Sequence, residues 1–106
     1  MTTLGIDLGG TKIAAALVDD GRILVAERAP TPQTGFPDVR DAMVALAHRL
    51  LDGRDDVRAI GVGSPGPLDL GTGTILFAPN IPGMDDAPIV AGLRERLDLP
   101  VVLEDG

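Results

Sequence analysis

The feature that most constrains this chain is a pair of adjacent glycines, Gly9-Gly10, set between two apolar segments that read as strands. From Thr3 to Leu8 the residues alternate: Leu4, Ile6 and Leu8 share one face, and Thr3, Gly5 and Asp7 share the other. That period of two is the pattern of a half-buried strand. Lys12 to Val18 is a second apolar run, rich in alanine. Asp20-Gly21 is a dipeptide favoured in two-residue hairpin turns, and Arg22 to Arg28 reads as a third strand. A chain that opens this way is committed to an antiparallel meander. It carries neither a Walker loop nor a dinucleotide fingerprint, because no helix follows the glycines.

Beyond the meander, Ala29 to Pro37 holds three prolines and one glycine and is expected to be a loop. Asp38 or a neighbour is placed to cap a helix that runs to about Leu51, with Val39, Met43, Leu46 and Leu50 along one stripe. Val57 to Val62 is apolar enough for a central strand. Gly63 to Gly73 is rich in turn formers, and a short strand is expected over Thr74–Ala78. Pro79 to Gly83 is a tight loop. Asp85-Asp86 offers caps for a helix around Pro88–Leu97, and Val101 to Leu103 reads as a fifth core strand. The order predicts an α/β fold. Its mixed five-stranded sheet has the first three strands antiparallel, helices on both faces and a small β-hairpin insertion. No helix follows the last strand, so one sheet face is expected to be under-covered, and a homodimer through that face is one expectation.

Charge narrows the function classes. The 106 residues suit one small domain, and 9 Lys+Arg against 16 Asp+Glu give a net charge of −7. That balance excludes nucleic acid and anionic membrane surfaces as partners, since both need a basic face. There is no cysteine, hence no thiolate nucleophile and no Cys-ligated metal. No apolar run reaches the ~18 residues that cross a membrane, so a cytoplasmic chain is expected. The only lysine is Lys12 and the only asparagine is Asn80, each in or beside a glycine- or proline-rich loop. His48 falls off the apolar stripe and reads as a surface residue.

Four segments are candidates for chemistry. In Asp7-Leu8-Gly9-Gly10-Thr11-Lys12, the glycines permit a tight turn whose amides can face an anion. Thr11 adds a hydroxyl, Lys12 a cation, and Asp7 a carboxylate able to hold Mg²⁺ through water. Gly61 to Asp69 follows a central strand directly, where open sheets bind ligands. Ala78-Pro79-Asn80-Ile81-Pro82-Gly83 presents an amide side chain that both donates and accepts, which suits a sugar hydroxyl. Glu104 and Asp105 lie at the carboxyl end of a core strand, well placed for a general base.

Taken in order, Asp7–Lys12, Gly63–Asp69, Ala78–Gly83 and Leu99–Glu104 resemble the ROK family (repressor, open reading frame, kinase), which includes bacterial glucokinases. The resemblance spans essentially the whole chain. It implies a ribonuclease-H-like, actin-like ATPase lobe and ATP-dependent phosphorylation of a hexose. Asp7 would orient Mg²⁺; Gly9, Gly10, Thr11 and Lys12 would face the ATP phosphates. Gly66, Asn80, Glu104 and Asp105 would contact the sugar, and Asp105 is the candidate base. The family usually reads Glu-Asn-Asp after this last strand, whereas this chain reads Glu104-Asp105-Gly106. Without a gap, Asp105 takes the Asn position and Gly106 that of the base. Family members run about three times this length. The chain therefore reads as the amino-terminal lobe alone, residues 1–106, without the carboxy-terminal lobe or the family's zinc site, and as inactive by itself. The family's sugar-sensing transcriptional regulators carry a DNA-binding segment ahead of the first strand, where this chain has only Met1, and a non-catalytic interaction module is a further alternative.

Overall fold

The computed structural model describes residues 1–106. The meander forms as the alternation dictates: β1 (Thr2–Leu8), β2 (Lys12–Asp19) and β3 (Arg22–Pro30) pair antiparallel in sequence. Asp20 and Gly21 both take positive φ, 48° and 76°, as the two-residue turn between β2 and β3 requires. Helix α1 (Phe36–Leu51) leads to β4 (Val57–Ser64). The hairpin β5 (Leu68–Asp69) and β6 (Thr74–Ile75) follows, then α2 (Ile89–Leu97) and β7 (Val101–Asp105). The five long strands form one sheet in the order β3-β2-β1-β4-β7, with β4 parallel to both β1 and β7. The mixed sheet and the separate small hairpin are those expected from the sequence.

Both helices, however, lie on one face. Val39, Met43, Leu46 and Leu50 of α1 and Ile89, Leu93 and Leu97 of α2 share a single core with Leu4, Ile6, Leu8, Ile13, Ala15, Leu17, Ile60 and Val62. The expectation of helices on both faces is corrected here, and the reason is handedness. The crossover from β3 to β4 and that from β4 to β7 run the same way across the sheet. Right-handed crossovers that share a direction must stack on the same side. The opposite face is built from Gly5, Ala14, Ala16, Ala26 and Gly61, with Ile23 and Val102 exposed at 68% and 54%.

The expected helix caps are also corrected. Helix α1 starts at Phe36, its N-cap is Gly35 without a side-chain cap bond, and Pro37 occupies the first turn. Asp38 sits inside the helix and accepts a hydrogen bond from the Thr34 hydroxyl instead. Pro88 precedes α2, so Asp85 and Asp86 do not cap it. The strand expected over Thr74–Ala78 ends at Ile75: the Leu76 amide still donates to the Pro67 carbonyl at 3.0 Å, but Pro67 has no N–H to return the bond, and the Leu76 carbonyl accepts from the Asp86 amide instead.

Candidate functional site

The carboxyl ends of β1, β4 and β7 and the turn between β1 and β2 meet at one end of the sheet. Cross-strand register places Arg28, Ala14, Asp7, Gly63 and Glu104 in one row across all five strands. The row belongs to the face without helices. It borders an open concavity of about 630 Å³ floored by Gly5, Ala14, Ala16 and Gly61. Asp7 is exposed there, and its Oδ1 lies 3.6 Å from where a Cβ on Gly63 would stand. The glycine leaves the carboxylate room at the strand end.

The Gly9-Gly10 turn is a hairpin closed by the Gly9 amide, which donates to the Lys12 carbonyl at 3.0 Å. A Cβ on Gly9 would sit 2.8 Å from that carbonyl oxygen, so only glycine fits. The amides of Gly10 and Thr11 donate to no acceptor in the chain. They lie beside the exposed side chains of Thr11 and Lys12, the arrangement that binds anions. Lys12 and Arg28 line a shallow depression here, bringing two cations to the same end of the sheet.

Gly10 also packs against the Asn80 loop. A Cβ on Gly10 would meet the Asn80 Cβ at 3.0 Å and its carbonyl oxygen at 3.3 Å. The loop is seated by Ile81 and Met84, both buried, and by the Phe36 amide, which donates to the Gly83 carbonyl at 3.2 Å. Sequence-expected residues from two separate motifs are thus in contact.

The chain end is ordered as strand, with Asp105 opposite Ser64 and the Gly106 amide donating to the Ser64 carbonyl at 2.9 Å. Successive residues face opposite ways. Glu104 joins Asp7 on the face without helices. Asp105 turns toward the Gly66 loop, its Oδ1 3.8 Å from where a Cβ on Gly66 would stand. The Gly66–Pro67 peptide in that loop is cis. His48 is exposed and borders a depression with Leu51, Arg54, Val57 and Leu99, at the amino ends of β4 and β7 and so at the opposite end of the sheet from Asp7 and Asp105. Arg54 holds the Asp56 carboxyl below its usual range, and Asp19 raises the Met1 ammonium.

No three His, Cys, Asp or Glu side chains cluster as a metal cage. Asp7, a single exposed carboxylate at the end of β1, suits Mg²⁺ carried in on phosphate oxygens and water, which is how that ion commonly binds. Three residues beside the turn carry no motif signal: Arg28, next to Lys12, and Thr31 and Gln33, whose side chains donate to the Gly9 and Gly10 carbonyls. The hairpin register could have found the first, since it places Arg28 opposite Ala14 and level with Asp7.

The ROK family model matches residues 3–106. The chain belongs to the ROK family. It is 39% identical over 104 residues to a glucokinase of Streptomyces coelicolor, covering 97% of this chain and 32% of that protein. To an N-acetyl-D-glucosamine kinase of Salmonella typhimurium it is 40% identical over 103 residues, covering 95% and 33%. Among solved structures, a ROK hexokinase from Thermus thermophilus superposes with a TM-score of 0.92 at 45% identity, over 99% of this chain and 35% of that one. A ROK glucokinase from Streptomyces griseus, in complex with glucose and AMPPNP, gives 0.90 at 40% identity over 99% and 33%. These relatives are sugar kinases of the actin-like ATPase fold. A ROK transcriptional regulator shares that fold at 18% identity and a TM-score of 0.88. The chain spans about a third of the length of the relatives it matches. No helix in it is long and apolar enough to cross a membrane.

Proposed function

We propose that residues 1–106 act as the amino-terminal lobe of a cytoplasmic ROK sugar kinase, holding the phosphates of ATP with Mg²⁺ at the Gly9-Gly10 turn and a hexose at the Gly66 and Asn80 loops. The observation that carries this reading is the packing of Gly10 against Asn80, which sets an anion cradle edge to edge with an amide side chain suited to hydroxyls. The free amides of Gly10 and Thr11 would take phosphate oxygens, Lys12 would offset their charge, and Asp7 would hold water on Mg²⁺. Glu104 and Asn80 would fix sugar hydroxyls. Transfer forms a bond from the hexose oxygen to the terminal phosphorus and breaks the bond to the departing diphosphate. The hydroxyl proton goes to a carboxylate, for which Asp105, beside Gly66, is the candidate. Positioning and charge stabilisation supply most of the acceleration in such transfers.

Calorimetric titration of glucose into the chain, with and without AMPPNP and Mg²⁺, tests the reading. Saturable binding that weakens about tenfold in Asn80→Ala is expected, the loss of hydrogen bonds to one buried hydroxyl. Heats indistinguishable from dilution for both ligands would remove it. Turnover in a coupled assay, abolished by Asp105→Asn, would assign the base to this chain. Self-association through the sheet face without helices is the second reading, favoured by the exposure of Ile23 and Val102 on it. A single-chain mass by light scattering at every concentration would remove that one.

A further inference from the structure

Three successive carbonyls of the glycine turn are tied to one short segment. The Thr31 hydroxyl donates to the Gly9 carbonyl at 2.8 Å, and Gln33 Nε2 donates to the Gly10 carbonyl at 3.0 Å. The Thr31 amide donates to the Thr11 carbonyl at 2.9 Å. Gln33 Nε2 also reaches the Thr31 carbonyl at 2.9 Å, which braces the segment against itself. Thr31 is buried and every buried side-chain polar atom has a partner, so this is a completed network.

Peptide geometry makes the consequence directional. Within a peptide unit the C=O and the following N–H point opposite ways. Fixing the carbonyls of Gly9 and Gly10 toward Thr31 and Gln33 therefore fixes the N–H groups of Gly10 and Thr11 away from them, and those are the two amides without an acceptor. Without these ties the glycine turn has the widest conformational freedom of any in the chain. The far end of the same segment reaches the other loop: Phe36 donates to the Gly83 carbonyl, and a Cβ on Gly83 would stand 2.7 Å from the Gly35 Cα.

We propose that Thr31–Phe36 is a strap that holds the phosphate turn open and in register with the Asn80 loop, with Thr31 and Gln33 as positioning residues. The inference rests on the reading of that turn as a phosphate site. Neither residue touches the ligand in this account. They spend no part of their hydrogen bonding on it, and act by keeping two amides aimed before it arrives, so that less ordering is required on binding.

The test uses the ¹⁵N-labelled chain and magnesium tripolyphosphate as probe. In the wild type the Gly10 and Thr11 amide signals should shift saturably, and the Phe36 amide should shift with them. Thr31→Val removes the bond to Gly9 and Gln33→Met the two bonds to Gly10 and Thr31, each at nearly constant shape, and both should weaken binding about three- to tenfold, with a smaller shift at Phe36. Thr31→Ser keeps the hydroxyl and should bind within about twofold of wild type. Gln33 is exposed, so its variant folds independently of any packing change at Thr31. If Thr31→Val and Gln33→Met bind like the wild type while Gly10 and Thr11 still respond, the strap is overturned and the phosphate site stands. If the wild-type amides of Gly10 and Thr11 ignore the probe, the phosphate site falls and the strap falls with it.

Discussion

Single glycines do different work at different places in this chain, and the structure separates them. Gly21 has φ of 76° with nothing within 4 Å of where a Cβ would stand, whereas Gly83 has the same φ and a backbone atom 2.7 Å away. Gly21→Ala should therefore cost only the left-handed penalty of about 1 kcal/mol. Gly83→Ala should cost about 2 kcal/mol or more, because the backbone at Gly35 must also move. Urea denaturation of the two variants measures the difference, and equal losses would show that the Gly35 contact yields freely. At this scale the sequence was partly legible. Lys12 and Asn80 stood out by rarity, and Asp7 by its place at a strand end. Thr31 and Gln33 did not, because their partners are carbonyls, and every residue carries one. A side chain that serves the backbone leaves no pattern in composition or spacing.

Elements were more legible than residues. Leu4, Ile6 and Leu8 are buried as the alternation requires, and the stripe Val39, Met43, Leu46 and Leu50 faces the core. In α2 the division is sharp: Leu93 is fully buried and Arg94 is exposed. Leu93→Ala should destabilise by about 2–5 kcal/mol, through lost burial and the cavity left behind. Arg94→Ala should change stability by no more than ~0.5 kcal/mol. Thermal or chemical unfolding of the pair checks both, and a mild Leu93 variant would mean that α2 docks loosely. The side on which a helix packs was not legible, because it follows from strand order and crossover direction together. Neither Asp38 nor Asp85-Asp86 caps a helix, for a related reason. A proline at the first turn and the bond from Phe36 to Gly83 set where α1 begins, and the second of these is a tertiary contact.

As a whole molecule the chain is as compact as a globular domain of its length. Its radius of gyration is 12.7 Å, against about 13 Å for this length, and its accessible surface is 5755 Å², close to the ~5,600 Å² typical of this mass. An entire sheet face without helices therefore adds almost no excess area. We expect the chain to unfold in one cooperative transition in urea, with circular dichroism and amide signals coincident. Separate transitions for the meander and for the β4–β7 half would contradict it. The small excess comes from side-chain size, since Gly5, Ala14, Ala16, Ala26 and Gly61 give that floor little height. Such a floor yields little free energy on its own account when water leaves it. Whatever comes to rest there must bring the bulky groups itself, and its main chain can approach the strands more closely than leucine or valine would allow.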